Sequence, residues 1–192
     1  MPFVGVLALQ GDVREHVAML ERIGADVVLV RHEEQLDDLC GLVIPGGEST
    51  TISHLLTTSG VRHRLAQRIR EGMPVLGTCA GLILLSSRIL GGRDDQWSFV
   101  ALDVSVRRNG YGRQIASFET TIDVKGVGPV PGVFIRAPKI EMWSDDVEVL
   151  AVYDHGDGDH PVFVRQANAW GCSFHPELTG DDRVHRLFVN SL

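Results

Sequence analysis

The chain has 192 residues, a length that predicts one domain, 1–192, with a sizeable core. Its net charge of −7 and the lack of any apolar run near the roughly 20 residues of a membrane helix argue against nucleic-acid and membrane partners. Three widely spaced cysteines, Cys40, Cys79 and Cys172, predict neither a disulfide framework nor a metal site. Together with a start that lacks a basic signal-peptide region, they indicate a cytoplasmic protein.

Strand-like and helix-like segments alternate in the first half of the chain. Helical segments are expected over 48–60 and 61–72, and an earlier one opens with Asp12 and Glu15 at capping-box spacing. Short runs rich in Val, Leu and Ile predict buried strands at 3–9, 27–30, 42–44 and 74–78. Such strands alternating with helices are typical of a parallel sheet covered on both faces. We therefore predict an α/β fold with a mostly parallel central sheet, in a flavodoxin-like three-layer arrangement.

Beyond residue 99 the pattern changes to closely spaced strand candidates with turns between them. This spacing favours antiparallel hairpins, so we expect additional antiparallel strands in the C-terminal half. A final helix is expected over 181–192. The strand candidates are 101–108, 115–124, 132–138, 147–153, 161–166 and 169–175.

The stretch GTCAG, residues 77–81, directly follows the apolar run of the fourth strand candidate. Its form, G-x-C-x-G, is the thiol counterpart of the G-x-S-x-G nucleophile elbow. The glycines let the backbone turn sharply and lift Cys79 out of the sheet, and the following helix N-terminus favours a thiolate. The glycine-marked loops LQGD and PGGEST fall at other strand ends, where open α/β sheets bind ligands. We interpret Cys79 as a nucleophile, with a buried inert cysteine as the alternative.

A thiol nucleophile needs a base, and the base needs an orienting group. His175 ends a strand candidate, Pro176 follows it and Glu177 lies two residues on, so an imidazole and a carboxylate meet at a strand end. Taken alone, this stretch is more typical of a structural His-Pro turn than of a catalytic pair. Surface, packing or solvated-turn roles are the default for the other histidines, and a metal site in the loop DHGDGDHP is disfavoured. These are His16, His32, His54, His63, His155, His160 and His185.

Together these pieces resemble the class I, triad-type glutamine amidotransferases, which carry a G-x-C-x-G elbow, a distant H-P-E and a Gly-Gly loop that completes an oxyanion hole. The likeness narrows to the glutaminase subunits of pyridoxal 5′-phosphate synthases. It spans residues 7 to 185. The stretches that carry it are LALQGDVREH, PGGESTTI, GTCAGLILL, RRNGYGRQ, FIRAP and SFHPELTGDDRVH.

The resemblance implies a catalytic mechanism for this chain. Cys79 would attack the side-chain amide carbon of L-glutamine, and His175 would activate the thiol and later protonate the departing ammonia, with Glu177 orienting the imidazole. The backbone N–H groups of Gly47 and Ala80 would form the oxyanion hole, where losing one donor costs about 3 kcal/mol. Water would then hydrolyse the glutamyl thioester to glutamate. No cofactor and no metal is implied.

The resemblance also implies where the substrate binds. Arginine suits such a site because it pairs with a carboxylate in a forked geometry. The matching positions are Gly47, Glu48, Ser49, Arg108, Ile135 and Arg136, and Gln10 matches a position near the oxyanion hole that responds to the partner subunit. Read without the family, Arg108 and Arg136 are ordinary solvated strand ends, and Glu48 caps the following helix.

A glutaminase domain takes up the whole chain, so a separate polypeptide is expected to use the ammonia. In the resembled family this partner is a (β/α)₈-barrel synthase that makes pyridoxal 5′-phosphate within a large hetero-oligomer. Three alternatives stay open. They are a glutaminase subunit of another biosynthetic pathway, a cysteine hydrolase of the DJ-1 and intracellular protease group, and a catalytically silent module. The second usually carries His directly after its Cys, where this chain has Ala80.

Overall fold

A computed structural model describes residues 3–93, 95–111 and 117–192. Parts of the quoted stretch RRNGYGRQ and of the strand candidate 115–124 lie outside the described residues. The helices are α1 (Val13–Arg22), α2 (Ser49–Thr58), α3 (Val61–Arg70), α4 (Ala80–Leu85) and α5 (Arg183–Val189), with 3₁₀ turns at Glu33–Leu36 and Pro176–Leu178. The strands are β1 (Phe3–Leu7), β2 (Asp26–Val30), β3 (Gly41–Ile44), β4 (Val75–Thr78), β5 (Ser86–Leu90), β6 (Leu102–Arg107), β7 (Ser117–Val124), β8 (Gly128–Ile135), β9 (Lys139–Trp143), β10 (Glu148–Asp154), β11 (Asp159–Gln166) and β12 (Ala169–Cys172).

The central sheet confirms the predicted α/β fold. Within the described ranges it has seven strands in the order β10-β11-β12-β4-β3-β1-β2. The five strands from β12 to β2 run parallel, and β10 and β11 extend the sheet in antiparallel fashion. Strands β5, β6 and β9 form a smaller mixed sheet, and β7 pairs with β8 as a hairpin.

Apolar side chains fill both faces of the central sheet, because successive residues of a strand point to opposite sides. In β3, Leu42 and Ile44 belong to a core shared with α2, α3 and α4, whereas Val43 belongs to a core shared with α1 and α5. In β4, Val75 and Leu76 divide in the same way. The three-layer arrangement thus follows from short runs that are apolar at every position.

Several local expectations need correction. The run at 27–30 is not fully buried, because β2 is the edge of the sheet and Leu29 is exposed. The C-terminal half is not built from hairpins alone, since β12 lies parallel to β4 and β6 lies parallel to β5. Strands β5 and β9 were not predicted.

The expected capping box at the start of α1 is also wrong. Asp12 is the N-cap residue, but its side chain makes no capping hydrogen bond. Its carboxylate lies instead 3.3 Å from the His175 ring. The Asp12 side chain, which the local pattern assigned to the cap of α1, therefore contacts His175, a residue far away in the chain.

No helix in the described ranges is long and apolar enough to cross a membrane.

The elbow between β4 and α4 depends on close packing of backbone. Cys79 itself takes the left-handed conformation (φ 49°), whereas neither Gly77 nor Gly81 has a positive φ. A Cβ on Gly81 would overlap the carbonyl oxygen of Ile44, and one on Gly77 would lie 2.5 Å from the Gly81 carbonyl carbon. The flanking glycines thus let α4 approach the sheet, while the cysteine carries the turn.

We expect Gly81→Ala to lower the free energy of unfolding by about 3 kcal/mol, because the methyl group has no room beside the Ile44 carbonyl. The measurement is urea unfolding followed by circular dichroism. Gly180→Ala is the control: its Cβ would meet no atom within 4 Å, so a change within about 0.5 kcal/mol is expected. Equal stability of the two variants would contradict this account of the elbow.

Candidate active site

The predicted site residues gather at the carboxyl edge of the parallel sheet, as expected for open α/β folds. The segments that follow β1, β3, β4 and β12 carry Gln10, Gly47, Cys79 and His175. The β7–β8 hairpin helps to fix the last of these, because the N–H of His175 donates to the carbonyl oxygen of Val133 at 2.8 Å. The fold therefore brings together loops that are up to 165 residues apart in the chain.

Cys79 sits between the end of β4 and the first turn of α4. Its N–H donates to the Cys172 carbonyl oxygen of the neighbouring strand at 2.8 Å, which fixes the backbone of the elbow. The Sγ atom lies 4.0 Å from the carbonyl oxygen of Ile135, and its interaction with the His175 ring favours the protonated imidazole. The residue is 8% exposed, so its sulfur reaches solvent only through the adjoining cavity.

His175 stands between two carboxylates. Its Nδ1 is 2.7 Å from Glu177 Oε1 and 3.3 Å from Asp12 Oδ2. Burial opposes protonation of the ring, but hydrogen bonds with Asp12, Cys79 and Glu177 outweigh it and raise the pKa of His175 to about 12. Burial raises the pKa of Glu177, against the effect of its bond to His175. Because Nδ1 faces the carboxylates, Nε2 is the nitrogen left for the thiol.

A cavity of about 310 Å³ opens over Cys79 and His175, within the usual range for small-molecule sites. It brings together almost all of the positions predicted from the sequence. Those lining it are Gly47, Glu48, Ser49, Cys79, Ala80, Arg108, Ile135, Arg136 and His175. Glu177 lies behind His175, with a side chain that is fully buried.

Charged and amide groups form a connected network along one wall of this cavity. Arg108 donates to Glu48 at 2.9 Å and to Gln96 Oε1 at 3.3 Å, and Gln96 Nε2 donates to Ser49 Oγ at 2.9 Å. Glu48 also accepts hydrogen bonds from the hydroxyl and backbone of Thr50 and Thr51; against the opposing effect of burial, they lower the pKa of Glu48 to about 2. Glu48 therefore caps α2, as one reading of the sequence expected, and also holds Arg108.

Gln10 and Gly47 pack against each other beside the cavity that holds Cys79 and His175. Gln10 Oε1 accepts the backbone N–H of Glu48 at 2.9 Å. A Cβ on Gly47 would lie 2.6 Å from that same oxygen, so glycine is required for this contact. Gln10 thereby sets the conformation of the loop that carries the predicted oxyanion donor of Gly47.

Arg136 also lines this cavity, and it follows β8 in a left-handed conformation with φ 46°. A non-glycine residue held this way is unusual and clusters at functional sites. Arg108 and Arg136 thus both line the cavity. The contacts of Arg108 with Glu48 and Gln96 make it more than a solvated strand end, whereas Arg136 is exposed just after β8 and its binding role stays a prediction.

Sequence reasoning missed several polar residues of this region. Asp12 was assigned to a helix cap and Gln96 was not considered. His16 and His185 were given surface or helix-packing roles. Both are fully buried, His16 beside Glu177 and Thr78 and His185 beside His16, so packing is correct but the contact with the Glu177 carboxylate was missed. The available signal was position: His16 falls three residues after Val13 and one before Val17, on the apolar side of α1.

Other clusters noted in the sequence lie elsewhere. In the loop DHGDGDHP, Asp154 accepts the backbone N–H groups of Gly156 and Gly158, which forms the expected turn. The His155 ring is not solvated as expected, because it packs against Tyr111 with the ring centroids 3.8 Å apart. A second cavity, of about 510 Å³, lies beside α2, where Arg62 covers the ring of Trp97. It is larger than the first, but none of its lining residues belongs to the predicted triad.

Comparisons with known proteins agree with the motifs. A model of the SNO glutamine amidotransferase family matches residues 6–192. The pyridoxal 5′-phosphate synthase subunit PdxT of Mycobacteroides abscessus is 55% identical, covering 98% of this chain and 96% of its own. That of Streptomyces avermitilis is 56% identical, covering 98% and 93%. The resemblance read from the sequence is confirmed.

Solved structures show the same likeness. A crystal structure of a glutamine amidotransferase superposes with a TM-score of 0.91 at 47% identity, over 97% of both chains. A putative GMP synthase subunit from Thermoplasma acidophilum shares the fold alone, with a TM-score of 0.70 at 20% identity, over 99% of this chain and 93% of its own.

The buried ion pair between His175 and Glu177 should make stability depend on pH when one partner is removed. His175→Gln leaves the Glu177 carboxylate buried without its charged partner, so we expect a loss of about 3–5 kcal/mol at pH 8. The raised pKa of Glu177 means that the folded variant binds a proton before the unfolded chain does. Stability of the variant should therefore recover as pH falls toward the ordinary value of 4.5.

Urea unfolding of both proteins at pH 8 and pH 5 measures this. The matched control is His175→Gln/Glu177→Gln, which removes the buried charge and should show the smaller pH dependence. If the stability of His175→Gln changes with pH no more than that of the double variant, the uncompensated carboxylate is refuted.

Proposed function

Because the chain belongs to the SNO glutamine amidotransferase family, we propose that it is the glutaminase subunit of a pyridoxal 5′-phosphate synthase. It hydrolyses L-glutamine to glutamate and ammonia for vitamin B6 biosynthesis. The observation that carries the proposal is the placement of Cys79 and His175 on one cavity, with the imidazole paired to the buried Glu177. The proposal treats 1–192 as one glutaminase domain, supported by a family match over residues 6–192.

The reaction proceeds through a glutamyl thioester. His175 takes the proton of the Cys79 thiol as the sulfur attacks the side-chain amide carbon. The backbone N–H groups of Gly47 and Ala80, two residues that line the cavity, receive the oxyanion. His175, held protonated by its carboxylate partners, donates a proton to the leaving ammonia. In the second half it takes a proton from the water that attacks the thioester. Glu177 stabilises the imidazolium whenever the ring is protonated, and it keeps Nδ1 engaged in both protonation states.

The wall opposite the sulfur recognises the amino-acid end of glutamine. Its ion pair between Glu48 and Arg108 presents one charge of each sign to the cavity. A zwitterionic α-amino acid is complementary to such a pair, with its ammonium toward Glu48 and its carboxylate toward Arg108. The remaining binding surface for glutamine is formed by three further residues that line the cavity, Ser49, Ile135 and Arg136.

Ammonia passes to a separate synthase subunit, for which we propose the (β/α)₈-barrel enzyme in a large hetero-oligomer. Gln10 is the proposed partner-responsive residue. It supports the loop of Gly47 and also lines a groove of about 370 Å³ between α1 and β2. A subunit seated in this groove would reach the oxyanion loop through one side chain. We also propose a cytoplasmic location, since the reaction requires Cys79 as a free thiol.

Glutamate release by the purified chain, with and without the synthase subunit, tests the chemistry and the partner together. We expect activity to rise on adding the synthase, and Cys79→Ala to lower it by about 10⁴-fold or more. Cys40→Ala is the matched control, because Cys40 is an exposed free cysteine and its removal should leave the rate unchanged. Glutamate release that survives Cys79→Ala would overturn the nucleophile.

Substrate recognition is tested at two adjacent arginines. Arg108→Met should raise KM for glutamine by about 10- to 100-fold, since charged hydrogen bonds contribute about 1.5–3 kcal/mol. Arg107 pairs with Glu141 outside the cavity, so Arg107→Met should leave KM unchanged. Steady-state kinetics with the synthase present gives both values. The proposed role fails if both substitutions change KM alike.

A further inference from the structure

Two buried histidines lie behind the catalytic carboxylate, and the proposed reaction does not use them. His16 of α1 and His185 of α5 are both fully buried. His16 Nδ1 is 2.9 Å from His185 Nε2, and His16 Nε2 is 3.0 Å from Thr78 Oγ1. His16 Nε2 is also 3.4 Å from Glu177 Oε2. The pair therefore touches both the carboxylate of the triad and the residue just before Cys79.

Glu177 needs a donor at this place. His175 engages Oε1 at 2.7 Å, whereas Oε2 is buried and has no hydrogen-bond partner of good geometry among the described residues. An ionised carboxylate only accepts hydrogen bonds, and leaving one oxygen unsatisfied in the core costs free energy. The ring nitrogen of His16 is the group placed to face that oxygen.

The hydrogen-bond pattern selects one tautomer of His16. If Nε2 carries the proton, it points at Thr78 and Glu177, and Nδ1 accepts from the Nε2–H of His185. If His16 Nδ1 carried the proton instead, the bare lone pair of His16 Nε2 would face Glu177 Oε2. His185 would then have to carry its own proton on Nδ1, and His185 Nδ1 is buried without a partner in the described structure. A buried N–H without an acceptor is rarer than a buried acceptor without a donor. The contact of His16 with Glu177 and the unpartnered Nδ1 of His185 therefore both favour the tautomer with the proton on His16 Nε2.

The charge state of the pair fits a donor that carries no charge of its own. Burial, with smaller effects from His185 and His175, lowers the pKa of His16. Burial lowers the pKa of His185 to about 4. Both rings are therefore neutral near pH 7 and carry one proton each. The polar groups facing His16 are Thr78 from β4, Glu177 from the 3₁₀ turn and His185 from α5.

Resting on the proposed function, we propose that His16 is a positioning residue for the triad: its neutral Nε2–H holds Glu177 Oε2, and His185 fixes the tautomer. The carboxylate is thereby held with Oε1 directed at His175 and is kept ionised in a buried setting. Without this donor, Glu177 would protonate at higher pH and rotate more freely. His175 would then lose part of the charge that stabilises its imidazolium.

The test compares two substitutions of His16 in the complex with the synthase subunit. Glutamine carries an N–H close to the position of Nε2, whereas methionine fills similar space without a donor. We expect His16→Met to lower kcat by about 10- to 100-fold with KM for glutamine unchanged, as for other partners that orient catalytic groups. His16→Gln should recover most of the loss. His63→Met, on the exposed face of α3, is the matched control and should behave as wild type.

Two readouts separate positioning from a structural role. The acid limb of the kcat profile should move to higher pH in His16→Met, because a less supported Glu177 takes up a proton sooner. Thermal unfolding should rank methionine at least as stable as glutamine at this buried position, the reverse of their order in kcat. Activities that follow stability, or an unmoved acid limb, would overturn the proposal.

A measurement on the unaltered chain guards against variants that do not fold. The ¹⁵N spectrum of its histidine rings should show His16 protonated at Nε2 and bare at Nδ1 from pH 6 to pH 8. The opposite tautomer, or a doubly protonated ring, would overturn the proposal. The spectrum does not depend on activity. A wild-type chain that fails to release glutamate would therefore refute the proposed function, whereas the tautomer of His16 is decided by the spectrum alone.

Discussion

The burial of one carboxylate, that of Glu177, constrains the rest of the structure. A charge removed from water is tolerated in a fold only when it is paired and hydrogen-bonded. Here the pairing comes from His175 on one oxygen, with His16 facing the other. The turn after β12 supplies the first partner and α1 the second, so elements from both ends of the chain must pack correctly before the charge is compensated. The packing that forms the core therefore also fixes the geometry of Glu177 and His175.

The proposed nucleophile, Cys79, imposes a second constraint, and the two constraints meet at Thr78. Cys79 occupies a left-handed conformation that only surrounding structure can maintain, and Gly81 permits the required approach of α4 to β3. Thr78 precedes the strained residue and contacts the His16 ring at 3.0 Å. A shift of the strand end would thus disturb the support of Glu177 as well as the sulfur. The strain is held in place by the same packing that satisfies the charge.

The sequence revealed what is encoded locally. Runs apolar at every position marked the parallel strands. The two short motifs around Cys79 and His175 predicted a triad because each keeps its chemistry within a few residues. Long-range pairing left no such mark: nothing near β12 indicates that it lies beside β4. Asp12 was misread for the same reason, since a capping pattern is local and the competing histidine is 163 residues away.

Exposure then divides the site into a fixed half and an adjustable half. The side chains of His175 and Glu177 are 5% and 0% exposed, so they cannot be rearranged without opening the core. The Glu48 side chain is 46% exposed, and its backbone N–H is held by the Gln10 amide. Regulation of the reaction would therefore require the least rearrangement in the loop that carries Gly47. A change in this loop would move the proposed oxyanion donor while His175 and Glu177 stay in place.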